Sequence, residues 1–141
     1  MTVAALIDAC VSDLRSFRIG DRDWMLVCLA FLLLLPGFGS ASWLAWHVGA
    51  ALVVFAAGAA LFALGAWGGG DVKLCAALAL LTGFAGLPRF LFVMALAGGV
   101  IALAVLVLKG RKGDRRVPYG LAIATAGLDW AWFNLVPHLA I

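Results

Sequence analysis

Two aspartates in this 141-residue chain stand where acid–base chemistry could be done. Asp71 follows the glycine triplet Gly68-Gly69-Gly70 and precedes Lys73, while Asp13 lies in the first polar stretch, just ahead of Arg15 and Arg18. Carboxylates at the edge of apolar sequence are costly, tend to face a bundle interior or a watery cleft, and are functional candidates for that reason. Two that face one cleft share a proton, because like charges a few ångströms apart do not both ionise easily. The protonated carboxyl then serves as general acid while the ionised one draws a proton from water, and such a pair hydrolyses a peptide with neither metal nor cofactor. The two titrate together, so neither owns the proton on sequence grounds. The glycines suit this chemistry, since they reach backbone angles closed to other residues and let an extended peptide come close. A nucleotide loop is the weaker reading, because the segment lacks a Gly-Lys-Ser/Thr ending.

The elements that must position these residues are membrane helices. The chain is 66% hydrophobic and 12% charged, with no glutamate, a composition that does not supply a water-soluble surface. Its net charge of +3 does not point to nucleic acid, because the basic residues sit in short connections rather than along one polar face. Apolar runs cover 24–38, 43–67, 74–87, 90–108 and 119–141, with a shorter lead-in at 1–11. A bilayer has no water to satisfy backbone groups, and the runs lack the alternation of barrel strands, so each is expected to be helical. The expected fold is therefore all-α: one polytopic transmembrane bundle over 1–141 with about five to six membrane segments. Expected breaks lie at Pro36–Ser40, Gly68–Gly70, Pro88-Arg89 and Lys109–Pro118. Residues 1–12 reach only ~18 Å as a helix, which reads as a half-span or as the end of a longer span starting upstream. The run 74–87 is also short, as suits a helix packed inside a bundle.

If successive runs alternate direction, the connections carrying Arg15, Arg18 and Arg22, then Lys73, then Lys109, Arg111, Lys112, Arg115 and Arg116 share one side, which is expected to be cytoplasmic; only Arg89 falls outside. Trp24 and Trp67 then fall at the inner headgroup level and Trp43, Trp46, Trp130 and Trp132 at or towards the outer one. Asp13 and Asp71 meet at the same inner boundary. Cys10, Cys28 and Cys75 form no C-x-x-C pair and read as small core residues.

At this point the residues carry a resemblance. Gly68-Gly69-Gly70-Asp71-Val72-Lys73-Leu74 resembles the G-x-G-D-x-K-[LM] motif of the prepilin peptidase, or type IV leader peptidase, family of membrane aspartic peptidases. The segment from Asp13 to Ile19 is similar to that family's D-x-x-x-x-x-I-P-N, with Gly20-Asp21 standing where the family carries Pro-Asn. Val117-Pro118-Tyr119-Gly120 is similar to the proline-aromatic-glycine element that opens a later span. The resemblance implies catalytic roles for Asp13 and Asp71, motif or substrate-binding roles for Gly68, Gly70, Lys73, Pro118, Tyr119 and Gly120, and the short form associated with Flp or tight-adherence pili. It implies an endopeptidase of the bacterial cytoplasmic membrane whose partners are prepilins or pseudopilins with a short basic leader. Asp13, Asp21, Asp23 and Asp71 are the acidic residues available to receive that leader, while the basic loops meet anionic lipid.

Other polar residues read more plainly. Lys73 either steadies the cleft or extends its stem to the headgroups. Asp21, Asp23 and Asp114 accompany arginines and read as loop charges; Asp129, inside the last run, reads as structural polar packing, and His47 as interfacial. The rival from another class is a small ion-coupled transporter or channel subunit, supported by the glycine breaks at 68–70 and 98–99. A second rival is a family member that binds pilins without cutting them.

Overall fold

A computed structural model describes residues 21–38, 40–109 and 119–139, and the regular structure among them is all helical. Four helices follow in order: α1 (Asp21–Phe38), α2 (Ala41–Ala63), α3 (Gly69–Lys109) and α4 (Tyr119–Leu139). Asp13 and Pro118 lie outside the described residues. Local chemistry accounts for the ends of α2. The Ser40 hydroxyl, on an extended residue, accepts from the Trp43 amide at 3.2 Å and caps the helix start. At the other end Gly65, at φ 70, lets its own amide bond to the Phe62 carbonyl and the Ala66 amide to that of Leu61, both at 2.9 Å, which closes the helix in a Schellman turn. The break before Asp71 thus begins at Gly65, ahead of the triplet where the sequence reading put it.

The largest difference from expectation concerns α3. Proline and arginine at 88–89 were expected to separate two spans, but helix runs through both and the break falls at Gly83, with φ 59 and ψ −178. In one straight helix Cys75 and Met94 would be separated by ~28 Å. Their sulfurs lie 4.0 Å apart, so the chain folds back at Gly83 and its two arms, 69–82 and 84–109, run antiparallel. Pro88 is tolerated because it falls early in the second arm, where the break already interrupts the hydrogen-bond ladder. The first arm is the centre of the bundle, with Leu74, Cys75, Ala77, Leu78, Ala79 and Leu81 all buried. That burial explains how a rod of only ~21 Å, shorter than a bilayer core of roughly 30 Å, can hold its place.

Around it, α1 contributes Val27 and Phe31, α2 Ala50 and Val54, the second arm Phe90, and α4 Ile123 and Ala124. Gly58 lets α2 approach closely: a Cβ there would stand 2.8 Å from Val72 Cγ1. Two stretches, α2 and one within residues 69–107, are long and apolar enough to cross a membrane, with mean hydropathies of 1.9 and 2.8. Leu52, Val53 and Phe62 on α2 and Val100, Leu103 and Val107 on α3 face outward, so the medium they meet is apolar.

Away from the Gly68–Lys73 turn, Arg89 grips Asp129 on α4 with two hydrogen bonds, Nε to Oδ2 at 2.9 Å and a second guanidinium nitrogen to Oδ1 at 3.2 Å, and its guanidinium lies 3.9 Å from the Phe133 ring centre. Asp129 is therefore structural polar packing, as its place in the last run suggested. Because Arg89 is half exposed, solvent screens the pair. A double-mutant cycle of Arg89→Ala and Asp129→Ala, read by thermal unfolding in detergent, is expected to give a coupling of about 0.5–1 kcal/mol.

Candidate active site

Asp71 is the third residue of α3, half-buried in its first turn, where the positive end of the helix dipole favours a carboxylate. Its side chain folds back over the residue that precedes the helix. A Cβ built on Gly68 would stand 2.8 Å from Asp71 Oδ2, so that glycine leaves room for the carboxylate rather than serving a backbone angle of its own. The Val72 amide bonds the Gly68 carbonyl at 3.1 Å and completes the turn. Gly68→Ala is accordingly expected to keep the fold while pushing the carboxylate aside, lowering turnover ~10- to 100-fold with an unchanged melting curve. Gly70 lies within the same turn.

Lys73 leaves that turn toward α1. Its ammonium donates to Asp21 Oδ1 at 2.8 Å, the Trp24 indole N–H donates to the same oxygen at 2.9 Å, and Lys73 Nζ stands 5.5 Å from the Trp24 ring centre. The Lys73 hydrogen bond, then that of Trp24, then the lysine charge hold the Asp21 carboxyl below its ordinary value of 3.8. Being depressed, this group favours the folded form above pH 3.8 and loses that contribution only as pH falls through its lowered folded value. The contact is therefore intact at neutral pH. Asp21, expected to be an ordinary loop charge, is the partner of the motif lysine.

Asp23 corrects the same expectation more strongly, since it is only 2% exposed. It begins the stripe Asp23, Val27 and Phe31, spaced four apart along the inward face of α1. That periodicity, read as one stripe, is the signal that could have moved Asp23 from loop to core. A carboxylate so enclosed cannot receive a leader, which removes it from that group of candidates.

Tyr119 and Gly120 open α4, the tyrosine exposed and the glycine buried. Tyr119 lines a groove of 420 Å³ with Trp67, which immediately precedes Gly68, and with Met94, Gly98 and Gly99 of the second arm. The fold thus brings Tyr119 and the approach to the GGGD turn to one end of the bundle. His47 sits apart from both. It is half-buried against the Gly83 reversal, with Nδ1 2.8 Å from the Leu80 carbonyl; since a carbonyl only accepts, Nδ1 carries the proton.

A family model described as the type IV leader peptidase family matches residues 1–103, which include both aspartate segments, the reversal and most of the second arm. The chain belongs to the type IV leader peptidase family. Comparisons with curated proteins and with solved structures give no match. Membership makes the chain a protease of the prepilin peptidase type in general terms, and with its outward-facing apolar helices a membrane protein. The match stops short of Tyr119 and Gly120. In this leader peptidase, GGGD and its lysine lead into a buried central arm and are tied to α1 through Asp21.

Proposed function

We propose that the chain is an aspartic endopeptidase that removes the short basic leader of prepilins or pseudopilins at the cytoplasmic face of the bacterial inner membrane, with Asp71 and Asp13 as its catalytic pair. The observation that carries this reading is the position of Asp71: a half-buried carboxylate at a helix N-terminus, folded over a glycine, in a chain of the leader peptidase family. An ionised carboxylate there takes a proton from water as the water oxygen adds to the scissile carbonyl, and the protonated partner gives its proton to the carbonyl oxygen. Collapse of the tetrahedral adduct then breaks the C–N bond as the nitrogen is protonated. Sidedness rests on the basic connections, nine of whose ten lysines and arginines fall on one side if successive spans alternate. Tyr119, beside Trp67 in the groove, suits contact with the apolar helix that follows a leader.

The test is cleavage of a leader-bearing prepilin by the purified chain in lipid vesicles, set against Asp13→Ala and Asp71→Asn. Product from the parent and from neither variant is expected. Cleavage that survives loss of Asp71 removes the mechanism, and sodium- or proton-coupled flux without cleavage would favour the transporter.

A further inference from the structure

We infer that Asp21 is a positioning residue for catalysis: through Lys73 it fixes the first turn of α3, and with it Asp71, against the start of α1. This rests on the reading of Asp71 as catalytic. Asp21 is the first residue of α1, and the segment carrying Asp13 runs directly into it. Lys73 is two residues beyond Asp71 in one helical turn. The contact between them therefore joins the start of α1 to the turn that bears Asp71.

Exposed ion pairs usually do little, and here the two side chains are 68% and 46% exposed. Three features set this one apart. One oxygen, Oδ1, takes both the Lys73 ammonium and the Trp24 indole N–H. The lysine also lies against the Trp24 ring, which restricts its stem. And α1 packs on α3, so the contact pins an end that the core beneath already aligns. A bond of this kind adds little to stability yet sets sub-ångström placement, and misplacement of a reacting group by about 1 Å can cost ~10²-fold in rate. What the site needs from Asp21 is an acceptor at Oδ1; its charge is secondary.

The experiment measures kcat and KM for prepilin cleavage by the full chain in vesicles, with melting curves in detergent alongside. Asp21→Ala and Lys73→Met are each expected to lower kcat about tenfold, with KM within about twofold of the parent and melting unchanged. Asp21→Asn, whose amide oxygen still accepts from both donors, is expected to retain most of the parental kcat. The double variant Asp21→Ala/Lys73→Met is expected to be no slower than either single one, because one contact is lost in all three. A parental kcat in Asp21→Ala, losses that multiply in the double variant, or a change confined to KM would each overturn the inference. The KM outcome would assign Asp21 to leader binding instead. Asp71→Asn, run in parallel, separates the two readings: if it is inactive while Asp21→Ala is normal, only the positioning role falls, whereas an active Asp71→Asn removes both.

Discussion

Asp71→Asn is expected to reduce prepilin cleavage by about 10³-fold or more while the protein folds and melts as the parent does. The amide matches the carboxylate in shape. Its oxygen can still fold back over Gly68, whose missing Cβ leaves the space that Asp71 Oδ2 occupies. It also remains compatible with the first turn of α3, where the side chain sits beside the helix N-terminus. What the amide lacks is basicity and an exchangeable acid proton. In a shared-proton pair the loss of either carboxyl removes both the base that activates water and the partner that holds the other in its complementary state. The loss should therefore fall on kcat with KM close to the parent, the signature of an interaction made in the transition state. A tenfold change alone, or a rise in KM at constant kcat, would mean that Asp71 binds the peptide without activating water.

Much of this site was legible from residues. The GGGD-x-K-L run named Asp71 and Lys73 together, and the first glycine leaves room for the carboxylate beside it. The partner of Lys73 was not legible, because Asp21 lies 52 positions away and a surface aspartate beside Arg22 carries no pattern of its own. Asp23 was misread for a different reason. Its neighbours in sequence, Arg22 and Trp24, suggest a loop or interface, while its neighbours in space are set by the four-residue stripe through Val27 and Phe31, which a run drawn from residue 24 leaves out and α1, starting at Asp21, takes in.

The fold shows the same division between composition and local geometry. Helicity and the apolar medium follow from the sequence, since runs without the alternation of barrel strands satisfy their backbone in lipid only as helices. The antiparallel pairing of 74–87 with 90–108 was anticipated in kind, but the corner was put at Pro88-Arg89 and falls at Gly83. Proline near a helix start breaks little, and Arg89 finds a carboxylate on α4 instead of marking a loop. The glycine, lying in a run of Leu, Thr and Phe, gave no punctuation signal; its role comes from a positive φ and from the space that His47, on another helix, takes up beside it. Five to six segments were expected, and the described residues form four helices, one of them doubled back.

That corner is where a single methyl group should do most harm to stability. Gly83 holds φ 59 with ψ −178, a combination that residues with a Cβ rarely adopt, and forcing alanine into it costs about 1–3 kcal/mol. The same Cβ would stand 2.8 Å from His47 Nε2 and 2.9 Å from Cε1, so the ring must leave its seat. Its departure breaks the 2.8 Å bond from Nδ1 to the Leu80 carbonyl, one of the groups near the end of the first arm that the reversal leaves short of helical donors. It also disturbs the stack of His47 on Trp43 at 3.9 Å, and through Trp43 the stacked ring of Phe31 at 5.7 Å. A part-buried acceptor left without its donor adds about 1–2 kcal/mol, the lower part of the range for a buried one. Gly83→Ala is thus expected to destabilise the bundle by about 2–5 kcal/mol, read as a lowered unfolding midpoint in detergent. His47→Ala in the same background separates the two causes: it removes the collision and leaves the backbone strain. If the double variant unfolds well before His47→Ala alone, the strain at Gly83 dominates; if it matches His47→Ala within error, the ring collision was the whole effect. Since the reversal lies at the far end of the first arm from Asp71, the folded fraction of Gly83→Ala should keep its KM, and its loss of activity should track the loss of folded protein.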